Sequence, residues 1–500
     1  MICIPIVAST VQEALLNLER AENVADVVEV RLDLLPREAW TPLLRKGGKP
    51  SIVTLRPERQ GGRFNGEEGE RIRFLEGTLV FNPAFIDVEW DTPPDLISSL
   101  LRKKAEKTAL IFSYHNFERT PDDLEAILKK VTSLGGDVAK IVTHANAFED
   151  NMKILKLVES NAGTITAFCM GPLGLSSRIL TLRYGGFMTY GSLERGKESA
   201  PGQIPARDLR EIYRVHQIHR NTTRVFGLLG DPVTQSLSPI IHNAAFQALG
   251  CNAVYIPFQV QRLETLLSVF RFMGVEGFSV TIPHKERIIS LLDGVDDKAK
   301  AIGAVNTVFK RDGLWLGTNT DGDGAWRALE EANVDLSKKR WTVLGAGGTA
   351  RAVAYTAGIR GNPNSLTFFG RSQERLEGLL RDMGRMFSFP IEGFILAESD
   401  LEKVFDETDV IVNCSPVGMA PRGHETPIPS HLLRPSHLVF DTVYNPLETR
   451  LLKEAKGRGC RTVSGLRMFL HQGKDQFELW TKKAAPLPLM EVKARERLEG

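Results

Sequence analysis

Short apolar runs recur along the first 220 positions, separated by stretches with helical or loop patterning. They read "ICIPIVA" from Ile2, "DVVEVRLD" from Asp26, "SIVTLR" from Ser51, "FIDVEW" from Phe85, "ALIFSY" from Ala109, "DVAKIV" from Asp137, "TITAFCM" from Thr164 and "FMTYGS" from Phe187. Each has the length and β-branched content of a strand. The segment Thr120–Leu134, with Pro121 and Asp122 at its start, has the pattern of an intervening helix. Eight strands alternating with helices over this length predict a (β/α)8 barrel, with an open doubly wound sheet as the alternative. The eighth strand carries the weakest pattern. Polar "HRNTTR", residues 219–224, is the candidate linker. A new strand–turn–helix opens at "RVFGLLG", more β/α alternation follows, and "WTVLGAGGTARAVAYTAG" from Trp341 opens a further unit.

The chain has 500 residues, 42% apolar and 25% charged, which suits a globular protein of two or more domains. A formal charge of +2 gives no case for a nucleic-acid or membrane surface. The five cysteines, Cys3, Cys169, Cys251, Cys414 and Cys460, lie far apart without a CxxC pair, so neither a disulfide framework nor a zinc site is expected. The N-terminus lacks a basic signal region and no apolar run is long enough to span a bilayer. A cytoplasmic enzyme is therefore the expectation. His216 and His219 are expected on one face of a helix, solvated, and no metal is assigned.

In a barrel the C-terminal strand ends form the site. Polar residues concentrate there: Glu29, Arg31 and Asp33 on the second strand, Arg56 after the third, Glu89 on the fourth, His115 on the fifth and Lys140 on the sixth. Lys140 stands inside a strand that reads as buried. A charged amine there is costly unless it is paired or neutral. A neutral amine attacks a ketone to give an imine, whose protonated form is an electron sink. That chemistry needs a proton carrier, and His115 lies one strand away. Schiff-base aldolases share this logic, and a structural ion pair is the alternative.

The ordered motifs "VEVRLD", "TLRPERQGG", "SYHNFERTP", "GGDVAKI", "GLSSR" and "SAPGQIP" resemble type I 3-dehydroquinate dehydratases across residues 1–218. The resemblance implies that Lys140 forms the imine and that His115 is the general acid/base. It implies that Glu29, Arg31 and Arg56 bind and orient the substrate and that Arg178 clamps its carboxylate. Ser199 and Gln203 would lie on a lid loop to which Gly202 gives freedom. Where the family pattern has a glutamate before its paired glycines, this chain has Gln60; Glu58 is the candidate substitute, and the departure bears on the tuning of His115.

In the second half, "QSLSP", "GFSVTIPHKE", "GAVNT", "GTNTDGDG", "DTVYNP" and "MFLHQ" resemble shikimate dehydrogenases in the same ordered way. The resemblance implies a dyad of Lys285, the proton donor to the ketone, and Asp321. Ser236, Ser238, Thr281, Asn306 and Gln472 would hold the substrate, and Tyr444 would contact it near the nicotinamide. "GAGGTA" sits between a strand and an alanine-rich helix, the context a dinucleotide fingerprint requires. Gly345, Ala346, Gly347, Gly348, Thr349 and Ala350 form that loop. The next strand, "SLTFFG", ends in Arg371 with Ser372 and Arg375 following, and has no acidic residue there. An arginine pair at this position favours the 2′-phosphate of NADP over NAD. Gly370 replaces the usual Asn of the family's "NR[ST]".

The two resemblances together cover about residues 1–490. They imply an N-terminal (β/α)8 barrel, residues 1–218, then a linker, 219–224. A two-lobed α/β dehydrogenase follows, with a substrate lobe at 225–325 plus about 466–490 and a Rossmann NADP-binding lobe at 326–465. The expected activities are dehydration of 3-dehydroquinate to 3-dehydroshikimate and reduction of 3-dehydroshikimate to shikimate with NADPH, with these small molecules as the only expected partners. A quinate-type dehydrogenase fused to a dehydratase is the first rival. A non-catalytic, metabolite-sensing regulator on the same folds is the second, and retention of Lys140, His115, Lys285 and Asp321 argues against it. The sequence sets no oligomeric state; a monomer is compatible with it.

Overall fold

The computed structural model describes residues 1–499. The chain forms two compact units, residues 1–235 with 252–275, and residues 236–251 with 276–500.

The first unit holds the barrel. Its strands are β1 (Ile2–Ile6), β2 (Val27–Arg31), β3 (Ser51–Thr54), β4 (Phe85–Glu89), β5 (Ala109–His115), β6 (Val138–His144), β7 (Ile165–Met170) and β8 (Thr189–Tyr190). They pair in parallel in chain order, and β8 returns to β1 through Ile2↔Thr189 and Cys3↔Tyr190. On the far side, Phe187 N donates to Ile165 O at 2.7 Å, bringing the segment before β8 to β7. The barrel, not the open sheet, is the architecture. β1 to β7 read as near-continuous apolar runs because parallel strands covered by helices are buried on both faces.

Side chains two residues apart on a strand share a face. Val27, Ile52, Ile111 and Val138, with Phe85 packed against them, belong to one apolar cluster inside the barrel. The positions two residues further along are Glu29, Thr54, Ser113, Lys140 and Asp87, and every one is buried. An apolar layer thus supports a polar one, and the polar layer faces the site.

Two local expectations are corrected. The helix after β5 runs Leu124–Thr132, not 120–134. The Thr120 hydroxyl bonds to Thr143 Oγ1 at 2.8 Å and to His144 O at 2.9 Å, which holds the chain against β6 before the helix begins. His216 and His219 do not share a helix: Val215–Gln217 is a single turn, and Arg214 at φ +49° breaks it from the turn before. After the barrel, β9 (Arg224–Gly230) and β10 (Ala253–Gln259) pair in parallel, so Arg224 already belongs to a strand. Phe258 of β10 and Phe270 pack on Phe148, with ring centroids 6.0 and 5.9 Å from it.

In the second unit, β11 (Val275–Val280), β13 (Thr307–Arg311) and β14 (Leu314–Thr318) are antiparallel neighbours, and β12 (Gly294–Val295) pairs in parallel with β14. A parallel sheet follows, made of β15 (Arg340–Leu344), β16 (Ser365–Gly370), β17 (Ile391–Ile395), β18 (Val410–Asn413), β19 (Leu438–Asp441) and β20 (Arg461–Ser464). Its order, β17-β16-β15-β18-β19-β20, puts the switch point beside β15, where open α/β sheets bind ligands. Among the described residues no helix is long and apolar enough to cross a membrane.

Candidate active sites

The cleft of the barrel is lined by Glu29, Arg31, Arg56, His115, Lys140 and Arg178, with Gln60, Tyr190, Ser199 and Gln203. Lys140 is 4% exposed. Its Nζ donates to Asp87 Oδ2 at 2.9 Å and lies 3.5 Å from Glu29 Oε1. The buried amine is therefore paired, and the partner that holds it, Asp87, is one the candidate residues omitted. Burial alone would raise the Asp87 carboxyl, but Arg56 and Lys140 more than offset it and hold it well below the usual carboxylate range.

Arg56 is more deeply engaged than a substrate-binding role alone requires. Its Nη1 donates to Glu89 Oε1 and Ser113 Oγ, both at 2.6 Å, and its Nη2 to Asp87 Oδ2 at 2.9 Å. Arg71, fully buried and unflagged by the sequence, stands behind it, with Nη1 2.5 Å from Glu89 Oε2. Arg31 is likewise committed, donating to both Asp33 oxygens at 2.9 and 2.8 Å. Burial opposes its charge, yet the Asp33 fork raises its pKa.

His115 presents a ring whose Nδ1 is sealed from solvent and has no hydrogen-bond partner. Burial, helped by the positive charges of Arg56 and Lys140, pushes its pKa well below the ordinary histidine value, so the ring is neutral and able to take a proton. Gln60 Oε1 accepts the His115 backbone N–H at 3.2 Å, so the hydrogen bond between them is to the backbone of His115. Glu58 is exposed and does not line the cleft. Arg178 is 1% exposed and donates Nη1 to Tyr190 O at 3.0 Å, while its Nε and Nη2 have no hydrogen-bond partner among the described residues. Burial lowers its pKa to about 10. A desolvated guanidinium with two open donors is complementary to a carboxylate. Ser199 and Gln203 bond to each other, Ser199 N to Gln203 Oε1 at 2.8 Å and Gln203 Nε2 to Ser199 Oγ at 3.1 Å. Between them Gly202 has φ +75°, and a Cβ there would lie 2.6 Å from Gly171 O.

The second site gathers around Lys285. Its Nζ donates to Asp321 Oδ2 at 2.5 Å and to Thr349 Oγ1 at 3.1 Å. Asp321 opens the helix Asp321–Glu330, whose N-terminal dipole favours a carboxylate. Asn306 Nδ2 donates to Asp321 Oδ1 at 2.7 Å. Ser236 Oγ lies 3.2 Å from Ser238 Oγ, and the Tyr444 hydroxyl bonds to Ser236. The Tyr444 ring stacks on Phe469 at 4.4 Å. Thr281, half-buried, directly follows β11. Gln472 turns inward: its Nε2 donates to Phe469 O of its own helix at 2.8 Å. Gln476, which the sequence did not flag, receives Ser279 Oγ at 2.7 Å and donates to Thr307 Oγ1 at 3.0 Å.

The glycine loop fits a dinucleotide. Gly345 has φ +124°, and a Cβ at Gly347, the N-cap of the helix Gly348–Gly361, would meet nothing within 4 Å. That leaves the loop open for a pyrophosphate to approach the free N–H groups of the helix start, around Ala346, Gly348 and Thr349. Ala350 is fully buried, as its packing position requires. Arg371 and Arg375 are exposed at the end of β16, and among the described residues neither forms an ion pair. Ser372 caps the helix Gln373–Met386, its side chain accepting Arg375 N, so its hydroxyl already has a structural partner. One exposed trio, Glu398, Glu402 and His431, brings three ligand-type atoms within 4.8 Å of one another.

A barrel with a buried lysine between carboxylates, in one chain with a Rossmann unit and a lysine–aspartate pair, defines a fused lyase and nucleotide-dependent dehydrogenase. The type I 3-dehydroquinase family model matches residues 2–220, the shikimate dehydrogenase substrate-binding model 228–308, and the shikimate 5′-dehydrogenase C-terminal model 465–491. The chain is 36% identical to the chloroplastic bifunctional 3-dehydroquinate dehydratase/shikimate dehydrogenase of Arabidopsis thaliana, over 98% of this chain and 83% of that one. It belongs to the family of bifunctional 3-dehydroquinate dehydratase/shikimate dehydrogenases. It is also 44% identical to the shikimate dehydrogenase (NADP(+)) of Moorella thermoacetica, over 55% of this chain and 94% of that one. A shikimate dehydrogenase solved in complex with NADP+ is 38% identical, with a TM-score of 0.51, covering 55% of this chain and 96% of that one.

Proposed function

We propose that the barrel dehydrates 3-dehydroquinate to 3-dehydroshikimate through an imine on Lys140, and that the second unit reduces 3-dehydroshikimate to shikimate with NADPH. The observation that carries this is the placement of Lys140 Nζ between Asp87 and Glu29, in a cleft that also holds the neutral His115 and the open donors of Arg178.

Arg178 holds the substrate carboxylate. The amine of Lys140 adds to the ketone, and loss of one water leaves the iminium. That cation acidifies the adjacent C–H, and His115 takes its proton. The electron pair moves to the imine nitrogen as an enamine. It then returns to expel the β-hydroxyl, which leaves as water with a proton from His115. Hydrolysis of the imine consumes one water and frees Lys140, so the balance is the loss of one water. Ser199 and Gln203 cover the cleft as a pair.

In the second unit, Ser236, Ser238, Tyr444, Thr281, Asn306 and Gln472 hold the substrate. Gly345 to Ala350 would hold the pyrophosphate, and Arg371 and Arg375 the 2′-phosphate. NADPH bound there supplies the hydride. Lys285, kept in place by Asp321, gives its proton to the ketone oxygen. The matches to residues 2–220 and 228–308 support a junction between two domains in this part of the chain. Each constellation comes from one unit, so a monomer suffices, acting on small molecules and on neither nucleic acid nor membrane. Five free cysteines fit a reducing, cytoplasmic setting. The test is to supply 3-dehydroquinate without a nicotinamide and look for the conjugated enone. NADPH is then added and its consumption followed. No enone in the first step would refute the dehydratase assignment.

A further inference from the structure

Strand β8 has only two residues, and the second, Tyr190, touches both poles of the barrel site. The Lys140 Nζ sits over its ring, 4.3 Å from the centroid. Its carbonyl oxygen accepts Arg178 Nη1 at 3.0 Å. The ring also leans on Phe168, centroids 5.9 Å apart, and Phe168 in turn carries the Arg178 guanidinium 4.3 Å from its own centroid. The backbone beneath is fixed from both sides. Gly191 N donates to Cys3 O at 2.9 Å, and Thr189 Oγ1 donates to Arg178 O at 2.8 Å. Tyr190 is 4% exposed, so water does not dilute the attraction between the ring face and the cation.

Asp87 and Glu29 hold the free ammonium group through its N–H bonds. An iminium nitrogen keeps one N–H, so condensation with a ketone removes the means of holding both carboxylates. An aromatic face attracts the cation without needing an N–H. Of the contacts to Nζ, the one with Tyr190 is thus indifferent to the change from ammonium to iminium.

We propose that Tyr190 is a positioning residue of the dehydratase site. Its ring and its carbonyl set the spacing between the imine-forming Lys140 and the carboxylate-binding Arg178. This rests on the assignment of Lys140 as the imine-forming residue. The work falls on the ring face and the backbone, so the phenol hydroxyl is dispensable.

The test uses the full-length enzyme. Tyr190→Phe keeps the ring and retains a dehydratase kcat close to that of the parent. A pentafluorinated phenylalanine in place of Tyr190 keeps the ring's shape and removes its negative face. It lowers kcat about tenfold relative to Tyr190→Phe, the scale of one desolvated cation–π contact, and slows borohydride capture of substrate on Lys140 in parallel. Thermal melting of both proteins stays together, because the shape is conserved. Equal rates for the two rings, or a tenfold loss already in Tyr190→Phe, would overturn the proposal. Borohydride capture in the parent enzyme separates the two claims. No adduct on Lys140 refutes the imine itself, whereas an adduct formed equally fast with either ring refutes only the role of Tyr190.

Discussion

At the scale of single residues, the barrel site is a sequence of alternating charges. Lys140 meets Asp87, Asp87 meets Arg56, Arg56 meets Glu89, and Glu89 meets Arg71. Removing one member leaves its neighbour buried and uncompensated. Arg71 does not line the cleft, and Arg71→Ala should therefore destabilise the barrel by about 3–5 kcal/mol, read from denaturant unfolding. Trapping is the direct check on Lys140: borohydride with 3-dehydroquinate should leave ligand mass on the peptide that contains it. Full dehydratase activity with Lys140 unmodified would contradict the imine. For His115 the sign follows from its lowered pKa. A base whose pKa lies below the ordinary value stays unprotonated as pH falls through 6.5, so dehydratase kcat/KM should hold steady there. An acid limb centred near 6.5 that vanishes in His115→Ala would show an ordinary histidine instead.

Lys140 and His115 are legible in the sequence because a charge inside an apolar run and a histidine one strand away are rare juxtapositions. Asp87 is legible only through spacing. It stands two residues after Phe85, as Lys140 does after Val138, so both face the lumen. Arg71 gives no such signal, because it comes from a helix and its partners lie elsewhere in the chain. The engagement of Arg56 with Asp87, Glu89 and Ser113 is a property of three strands side by side, which no motif contains.

Elements decide where these side chains stand. The end of β16 is the clearest case. A Cβ added at Gly370 would lie 3.5 Å from the Ala346 Cβ of the glycine loop. Arg371 and Arg375 flank a serine cap there, exposed and, among the described residues, without a carboxylate partner. A 2′-phosphate brings roughly two negative charges to such a place. Arg371→Ala should raise the KM for NADPH at least about tenfold while the KM for NADH hardly changes. Equal effects on both cofactors would show that Arg371 does not read the phosphate. The fingerprint loop was legible because its glycines must stand between a strand and a helix. The intramolecular bonds of Ser372 and Gln472, a helix cap and an amide bonded within its own helix, are not legible in the motifs that carry them.

On the scale of the whole molecule, each unit holds its own set of the proposed reacting groups. The barrel supplies Lys140, His115 and Arg178; the second unit supplies Lys285 and Asp321 with the glycine loop and its arginines. Lys140→Ala should abolish dehydration and leave reduction of supplied 3-dehydroshikimate nearly intact, and Lys285→Ala should do the reverse. The most direct measurement mixes these two variants. Each alone, given 3-dehydroquinate and NADPH, should make no shikimate. Together they should make it, with enone appearing from the Lys285→Ala chain and NADPH falling as the Lys140→Ala chain consumes it. Shikimate from either variant alone, or none from the folded pair, would contradict two separate sites on one chain.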